Sequence, residues 1–153
     1  MCIRDRYRGP APFSEPETQA VANFCEQHEF KIALNCHSFS NLLIFPTAEE
    51  DTDDKTFEAL GHKMTEQNNY GLGTDIETVG YVATGDCSDW MYNEQTTKPK
   101  ILAMAPEVGP AVHGFWPPLS AIDQLNKENL WQNLSAAALL KPYGEVLLSL
   151  IHI

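Results

Sequence analysis

The stretch that decides the fold is Phe30-Lys31-Ile32-Ala33-Leu34-Asn35-Cys36-His37-Ser38-Phe39-Ser40-Asn41, followed by Leu42-Leu43-Ile44-Phe45-Pro46. Its first seven residues are nearly all apolar, which is the mark of a central strand covered on both faces. A histidine delivered at the end of such a strand is held rigidly at the edge of a sheet, where open α/β folds place their ligand and metal sites. The pattern recurs with an acid: Ile101-Leu102-Ala103-Met104-Ala105 runs into Pro106-Glu107-Val108-Gly109. Between the two runs lies Tyr81-Val82-Ala83-Thr84-Gly85-Asp86-Cys87-Ser88-Asp89-Trp90-Met91-Tyr92. A histidine, a tyrosine and a glutamate, each at an element boundary, suggest a metal hydrolase site.

Working outward, Ser14-Glu15-Pro16-Glu17 reads as a capping-box start, and Ala20, Val21, Phe24, Cys25 and His28 follow at helical spacing, predicting a helix over 15–28. Leu42–Phe45 is a second short strand, stopped by Pro46. The acidic run Glu49–Asp54 reads as a solvated loop whose last members cap a helix over about 54–68, with Phe57, Leu60 and Met64 inward. A calcium loop would need more oxygen ligands and a glycine turn. Residues 68–73 read as a turn and 78–84 as extended. A short helix over 88–93 precedes the strand Ile101–Ala105, and 109–118 is a loop. The last helix spans 119–140, with Ile122, Leu125, Leu130, Leu134 and Ala138 inward.

The chain has 153 residues, 43% hydrophobic and 20% charged, enough for one domain with a sizeable core. Its 21 acids against 10 Lys and Arg give a formal charge of −11 without a basic stripe, which argues against nucleic acid and anionic membrane as partners. No apolar run approaches the ~18 residues of a membrane-spanning helix. Cys2, Cys25, Cys36 and Cys87 show no C-x-x-C spacing and read as buried free thiols, with a disulfide as the alternative.

Each chemical candidate has a bland rival. An isolated His37 would more often be a hydrogen-bonded core histidine; the strand-end position and the flanking Ser38-Phe39-Ser40 favour a metal ligand. A Cys36–His37 nucleophile–base pair fails because adjacent strand residues point to opposite faces. Glu107 is either a salt-bridged core acid or a general base whose pKa burial raises towards neutrality. Asp89, Trp90 and Tyr92 read as a helix start and its packing.

Several unrelated motifs occur in one order: Tyr7-Arg8-Gly9-Pro10, Phe13-Ser14-Glu15-Pro16-Glu17-Thr18, Asn35-Cys36-His37-Ser38, Leu43-Ile44-Phe45-Pro46, Tyr81-x-x-Thr84-Gly85-x-x-x-Asp89-Trp90-x-Tyr92 and Pro106-Glu107-Val108-Gly109. Together they resemble the second half of zinc metallocarboxypeptidases of the carboxypeptidase A/B/T type. The resemblance implies an α/β fold with a mixed sheet flanked by helices, lacking the N-terminal half of the catalytic domain. It implies His37 as the third ligand of one Zn2+, Glu107 as catalytic base and proton shuttle, and Tyr81 as a mobile tyrosine closing over substrate. Ser38 and Phe39 would line the groove, Ser88 would sit near the pocket for the C-terminal side chain, and the Ser38–Phe39 peptide would be cis. Peptide or protein C-termini would be the substrates, in an extracellular or periplasmic setting.

The departures matter. The family's H-x-x-E zinc-ligand pair and its Asn-Arg clamp for the substrate carboxylate would lie upstream of Tyr7, and the only arginines present are Arg4, Arg6 and Arg8. Phe39 stands where many relatives have tyrosine. Ser88 supplies neither an acid nor a bulky aliphatic group to the pocket, which points to a broad or neutral preference, although Asp86 is close. Residues 1–6 and 148–153 resemble translated sequencing-adapter ends, leaving 7–146 as the carboxypeptidase-like part. The chain alone is therefore expected to be inactive and to hold zinc poorly. The alternatives are a non-catalytic binding module, or a relative acting on amidated or cell-wall peptides.

Overall fold

The computed structural model describes residues 9–47, 51–83, 85–140 and 145–149. The elements in chain order are α1 (Pro16–Glu26), β1 (Phe30–Asn35), β2 (Leu42–Ile44), α2 (Asp51–Thr65), β3 (Gly71–Gly73), α3 (Asp75–Thr78), α4 (Cys87–Asn93), β4 (Leu102–Glu107), α5 (Ile122–Leu139) and β5 (Glu145–Ser149). The strands form one mixed sheet in the order β3-β2-β4-β1-β5. β1 runs parallel to β4 and β5, β2 parallel to β3, and only β2 against β4 is antiparallel. The expected α/β class with a mixed sheet flanked by helices is the class observed.

Register explains why the strand runs are apolar on both sides. Ile32, Leu34, Met104 and Leu43 project to one face and pack with Phe57 and Met64 of α2 and Ala136 of α5. Ala33 and Ala103 project to the other and pack with Cys25 of α1 and Met91 of α4. Small alanines on this second face let α4 approach the sheet closely. The deep core therefore lies under α2 and α5, and the α4 face is free to carry a site at the sheet's C-terminal edge.

Several local expectations are corrected. Ser14 does not cap α1: Glu15 occupies the cap position without a side-chain cap, while the Ser14 hydroxyl donates to the Glu15 carboxylate. On α1 it is Ala22 and Cys25 that are buried, whereas Ala20 and Phe24 are exposed. Residues 71–73 form an edge strand rather than a turn, because Leu72 alone inserts into the core while its glycine neighbours permit close approach, Gly71 against the Leu42 side chain and Gly73 against Glu77. The segment read as extended, 78–84, carries no strand among its described residues; its first residue ends helix α3, whose Glu77 carboxylate accepts from the Thr74 N–H at 2.9 Å.

On α5 the inward face is Leu125, Gln132, Ser135 and Ala136; of the expected set only Leu125 is buried, and Leu130 and Leu134 are each 56% exposed. Polar anchors set that rotation: Asn129 donates to the Tyr70 hydroxyl and the Trp131 indole to the Lys63 carbonyl of α2. Leu148 and Ser149, which the sequence assigns to a foreign tail, continue strand β5 beside β1. An unpaired strand edge accepts such a β-prone segment. The remaining foreign-end residues, the three arginines, Glu49-Glu50 and Thr84 lie outside the described residues. Cys25, Cys36 and Cys87 are free thiols, and burial pushes Cys87 up to about 11.

Candidate active site

The β1–β4 register carries the site. Ile32, Ala33 and Leu34 stand opposite Leu102, Ala103 and Met104, and the same register continues past the end of β1 to an isolated parallel bridge between His37 and Glu107. The His37 N–H donates to the Pro106 carbonyl at 2.8 Å, and the His37 carbonyl accepts from the Val108 N–H at 2.9 Å. Residues opposite each other in a ladder project to the same face, so the imidazole and the carboxylate emerge side by side. That face is the one carrying α4, since Asn35 and His37 are two apart on one chain and Ala105 and Glu107 on the other.

His37 is exposed and Glu107 half-buried. Burial pushes the Glu107 carboxyl up to about 7, well above an ordinary glutamate. Pro106 beside it is buried and fixes the backbone there.

After His37 the chain turns sharply. The Ser38–Phe39 peptide is cis, and Ser40 and Asn41 both have positive φ. Their N–H groups donate to the same Gly109 carbonyl, at 2.8 and 3.0 Å, which ties this turn to the one that follows Glu107. Gly109 has φ +96, a region that disfavours any side chain. Phe39 packs edge-on against Phe115 with ring centroids 4.9 Å apart, so its ring joins the loop after β4.

A cleft of about 250 Å3 opens beside this edge. Ile44 and Ala105, cross-strand partners on the Glu107 face, form one wall, and Ser88 of α4 lines it with Asp75, Asp86 and Asp89. Ser88 is only 3% exposed and accepts a hydrogen bond from the Asn35 amide at 3.1 Å. Tyr81 is 65% exposed and precedes Val82 and Ala83, which also line the cleft. That segment is tied down because the Ala83 N–H donates to the Asp75 carboxylate.

The structure therefore brings His37, Glu107 and Ser88 to one face, while Tyr81 is exposed and next in sequence to two residues of the cleft. Ser38 and Phe39 are half-buried in the turn next to them. The sequence reading gave Asp75 no role, quoted Asn35 only within a motif, and read Asp89 as part of a helix start and its packing. Asp75 carried a legible signal in the helix start Thr74-Asp75-Ile76-Glu77, but nothing local says that this helix faces α4. Among the described residues no group of three His, Cys, Asp or Glu side chains could hold a metal ion. A catalytic zinc needs three protein donors, and the described residues do not bring three together.

Comparison with known proteins gives one answer. The zinc carboxypeptidase family model matches residues 2–132. Human mast cell carboxypeptidase A is 35% identical over 100 residues, covering 58% of this chain and 24% of the relative. Zinc carboxypeptidase A 1 of Anopheles gambiae is 30% identical over 139 residues, covering 82% of this chain and 31% of the relative. Among solved structures, bovine thrombin-activatable fibrinolysis inhibitor, in complex with tick carboxypeptidase inhibitor, superposes with a TM-score of 0.75 at 24% identity, over 90% of this chain and 49% of that one. The carboxypeptidase A of Helicoverpa armigera gives 0.74 at 19% identity, over 90% and 37%. The chain spans a quarter to a third of the curated relatives' length and less than half of the solved chains. The match over most of its residues, together with the shared fold, makes this chain a member of the zinc carboxypeptidase family.

Proposed function

We propose that the complete protein is a zinc-dependent carboxypeptidase that removes C-terminal residues from peptides outside the cytoplasm, and that this chain supplies the half of its active site that carries the base and the side-chain pocket. The observation that supports the reading most directly is the His37–Glu107 bridge, which sets an exposed imidazole beside a carboxylate of near-neutral pKa. One zinc ion, held by His37 and by donors from outside the described residues, would supply Lewis acidity.

The chain's own residues do the remainder. Glu107, half-buried and only weakly acidic, takes a proton from the attacking water and returns it to the departing amine. A base with pKa near 7 suits both transfers, because neither protonation state is strongly favoured at neutral pH. The cleft beside Ser88 receives the side chain of the residue to be released. Tyr81, exposed at the rim, is free to close over bound peptide, while Ser38 and Phe39 shape the groove beside His37.

The test is peptide hydrolysis by the protein extended upstream of Tyr7. Glu107→Gln should lower kcat by about 10²–10⁴-fold with little change in KM, the loss expected for a general base. A Gln variant that keeps wild-type turnover would remove Glu107 from the mechanism and favour a binding module.

A further inference from the structure

Tyr70 sits between Asn69, whose φ is +54, and Gly71, the first residue of β3, and it is only 4% exposed. Burying a phenol where a phenylalanine would fill the same space leaves a hydroxyl that has to be paired. That hydroxyl accepts a hydrogen bond from the Asn129 amide at 3.0 Å, and the same amide donates to the Leu125 carbonyl at 2.8 Å, which fixes it against its own helix. Burial pushes the phenol pKa up, and two donors oppose the shift: the Asn129 side chain and the backbone N–H of Gly109. The hydroxyl therefore reaches from α5 to the turn that follows Glu107.

A second set of bonds closes on the same place. The Gly109 carbonyl accepts from the Ser40 and Asn41 N–H groups, and the Asn41 carbonyl accepts at 2.9 Å from the N–H of Gly71, next to Tyr70. The circuit Tyr70–Gly109–Asn41–Gly71 thus joins the turn after His37 to the turn after Glu107. Both turns use rare backbone conformations, with φ of +141 at Ser40, +56 at Asn41 and +96 at Gly109. Such conformations persist only where neighbouring groups hold them. Leu125 supports Gly109 as well, its methyl carbons lying 3.7 and 3.8 Å from the position a Cβ there would take. A tie that served α5 alone would end at Asn129, whereas this one continues to Gly109.

The geometry points to Tyr70 as a positioning residue: its hydroxyl holds the Gly109 turn, and through that turn the spacing of the Glu107 carboxylate from the His37 imidazole. This assignment rests on the carboxypeptidase reading and extends it to a residue outside the pair. A misplacement of about 1 Å can cost on the order of 10²-fold in rate, so the loss of one tether behind the base should cost about 10-fold. Because the tether acts through Glu107, its loss should have no further effect once the Glu107 carboxylate is gone.

Peptide hydrolysis by the upstream-extended protein tests the role. Tyr70→Phe, which keeps the ring, should lower kcat about 10-fold with KM changed less than about 2-fold, and the same change on top of Glu107→Gln should lower the residual rate by less than about 2-fold. Trp131→Phe, which removes the bond of α5 to the Lys63 carbonyl, should leave kcat unaltered. An unchanged kcat in Tyr70→Phe, an equal loss with and without Glu107→Gln, or an equal loss in Trp131→Phe overturns the role and leaves the carboxypeptidase reading standing. Should the wild-type protein cleave no peptide, that reading fails, and the tether is decided on the 153-residue chain by amide hydrogen exchange. Exchange at Gly109, Ser40 and Asn41 that is about 10-fold faster in Tyr70→Phe, with the amides of the β1–β4 ladder unchanged, supports it. No acceleration at those three, or the same acceleration throughout the ladder, overturns it.

Discussion

Glu107 is a carboxylic acid that burial holds near neutrality. Burial holds its folded pKa at about 7, against an ordinary value of 4.5. The fold therefore favours the neutral acid. Its contribution to stability is complete below pH 4.5 and is lost as the pH rises through 7. The urea midpoint of the zinc-free chain should fall between pH 5 and pH 8, and Glu107→Gln should flatten that dependence by removing the titrating group. An unchanged slope in the Gln variant would assign the pH dependence to general repulsion within a chain of net charge −11. His37 is different in kind: it is exposed and its backbone is held in the ladder with Glu107.

At the scale of elements, α4 is the piece that makes the pocket, and its C-terminal end is fastened by one buried lysine. Lys98 Nζ donates to the Met91 and Glu94 carbonyls and lies 4.7 Å from the centroid of the Trp90 ring. Those carbonyls are among the orphan acceptors of a helix end. Lys98→Met should keep the aliphatic packing but take the ammonium donor from the Glu94 carbonyl and leave the Met91 carbonyl with only the Ile101 N–H, costing about 1–3 kcal/mol in chemical denaturation. Helix α5 has the reverse fault. Gln132 is fully buried, and neither its Oε1 nor its Nε2 finds a partner. Gln132→Leu should raise stability by about 1–2 kcal/mol by removing two desolvated polar atoms from an apolar surround. A drop in the denaturation midpoint would show that the amide has a partner outside the described residues.

For the whole molecule, parts of the surface are apolar. Val112, Trp116 and Leu119 are each more than 80% exposed in the segment after β4, and Leu130 and Leu134 add a stripe on α5. Exposed apolar area of this kind marks surfaces that normally meet another part of a protein. Because the described residues bring no three metal donors together, zinc titration should show binding weaker than micromolar for this chain, and the proposed function expects tight binding in a protein extended upstream of Tyr7. Micromolar binding by the chain alone, lost in His37→Ala, would mean that the remaining donors lie within these 153 residues.

The sequence by itself determined the apolar strands around His37 and Glu107, the helices α2 and α4 between them and the family to which their order belongs. Those features are legible because strand burial and helix periodicity are written in runs of neighbouring residues. Tertiary structure alone decided the rest. The glycine-rich β3 is a strand only because β2 offers an edge and Leu72 a place in the core. The rotation of α5 follows from the bonds of Asn129 and Trp131 to Tyr70 and Lys63, about sixty and seventy positions away. The three carboxylates meet because α3 and the start of α4 are folded onto one cleft. No local pattern encodes which charges share a cavity.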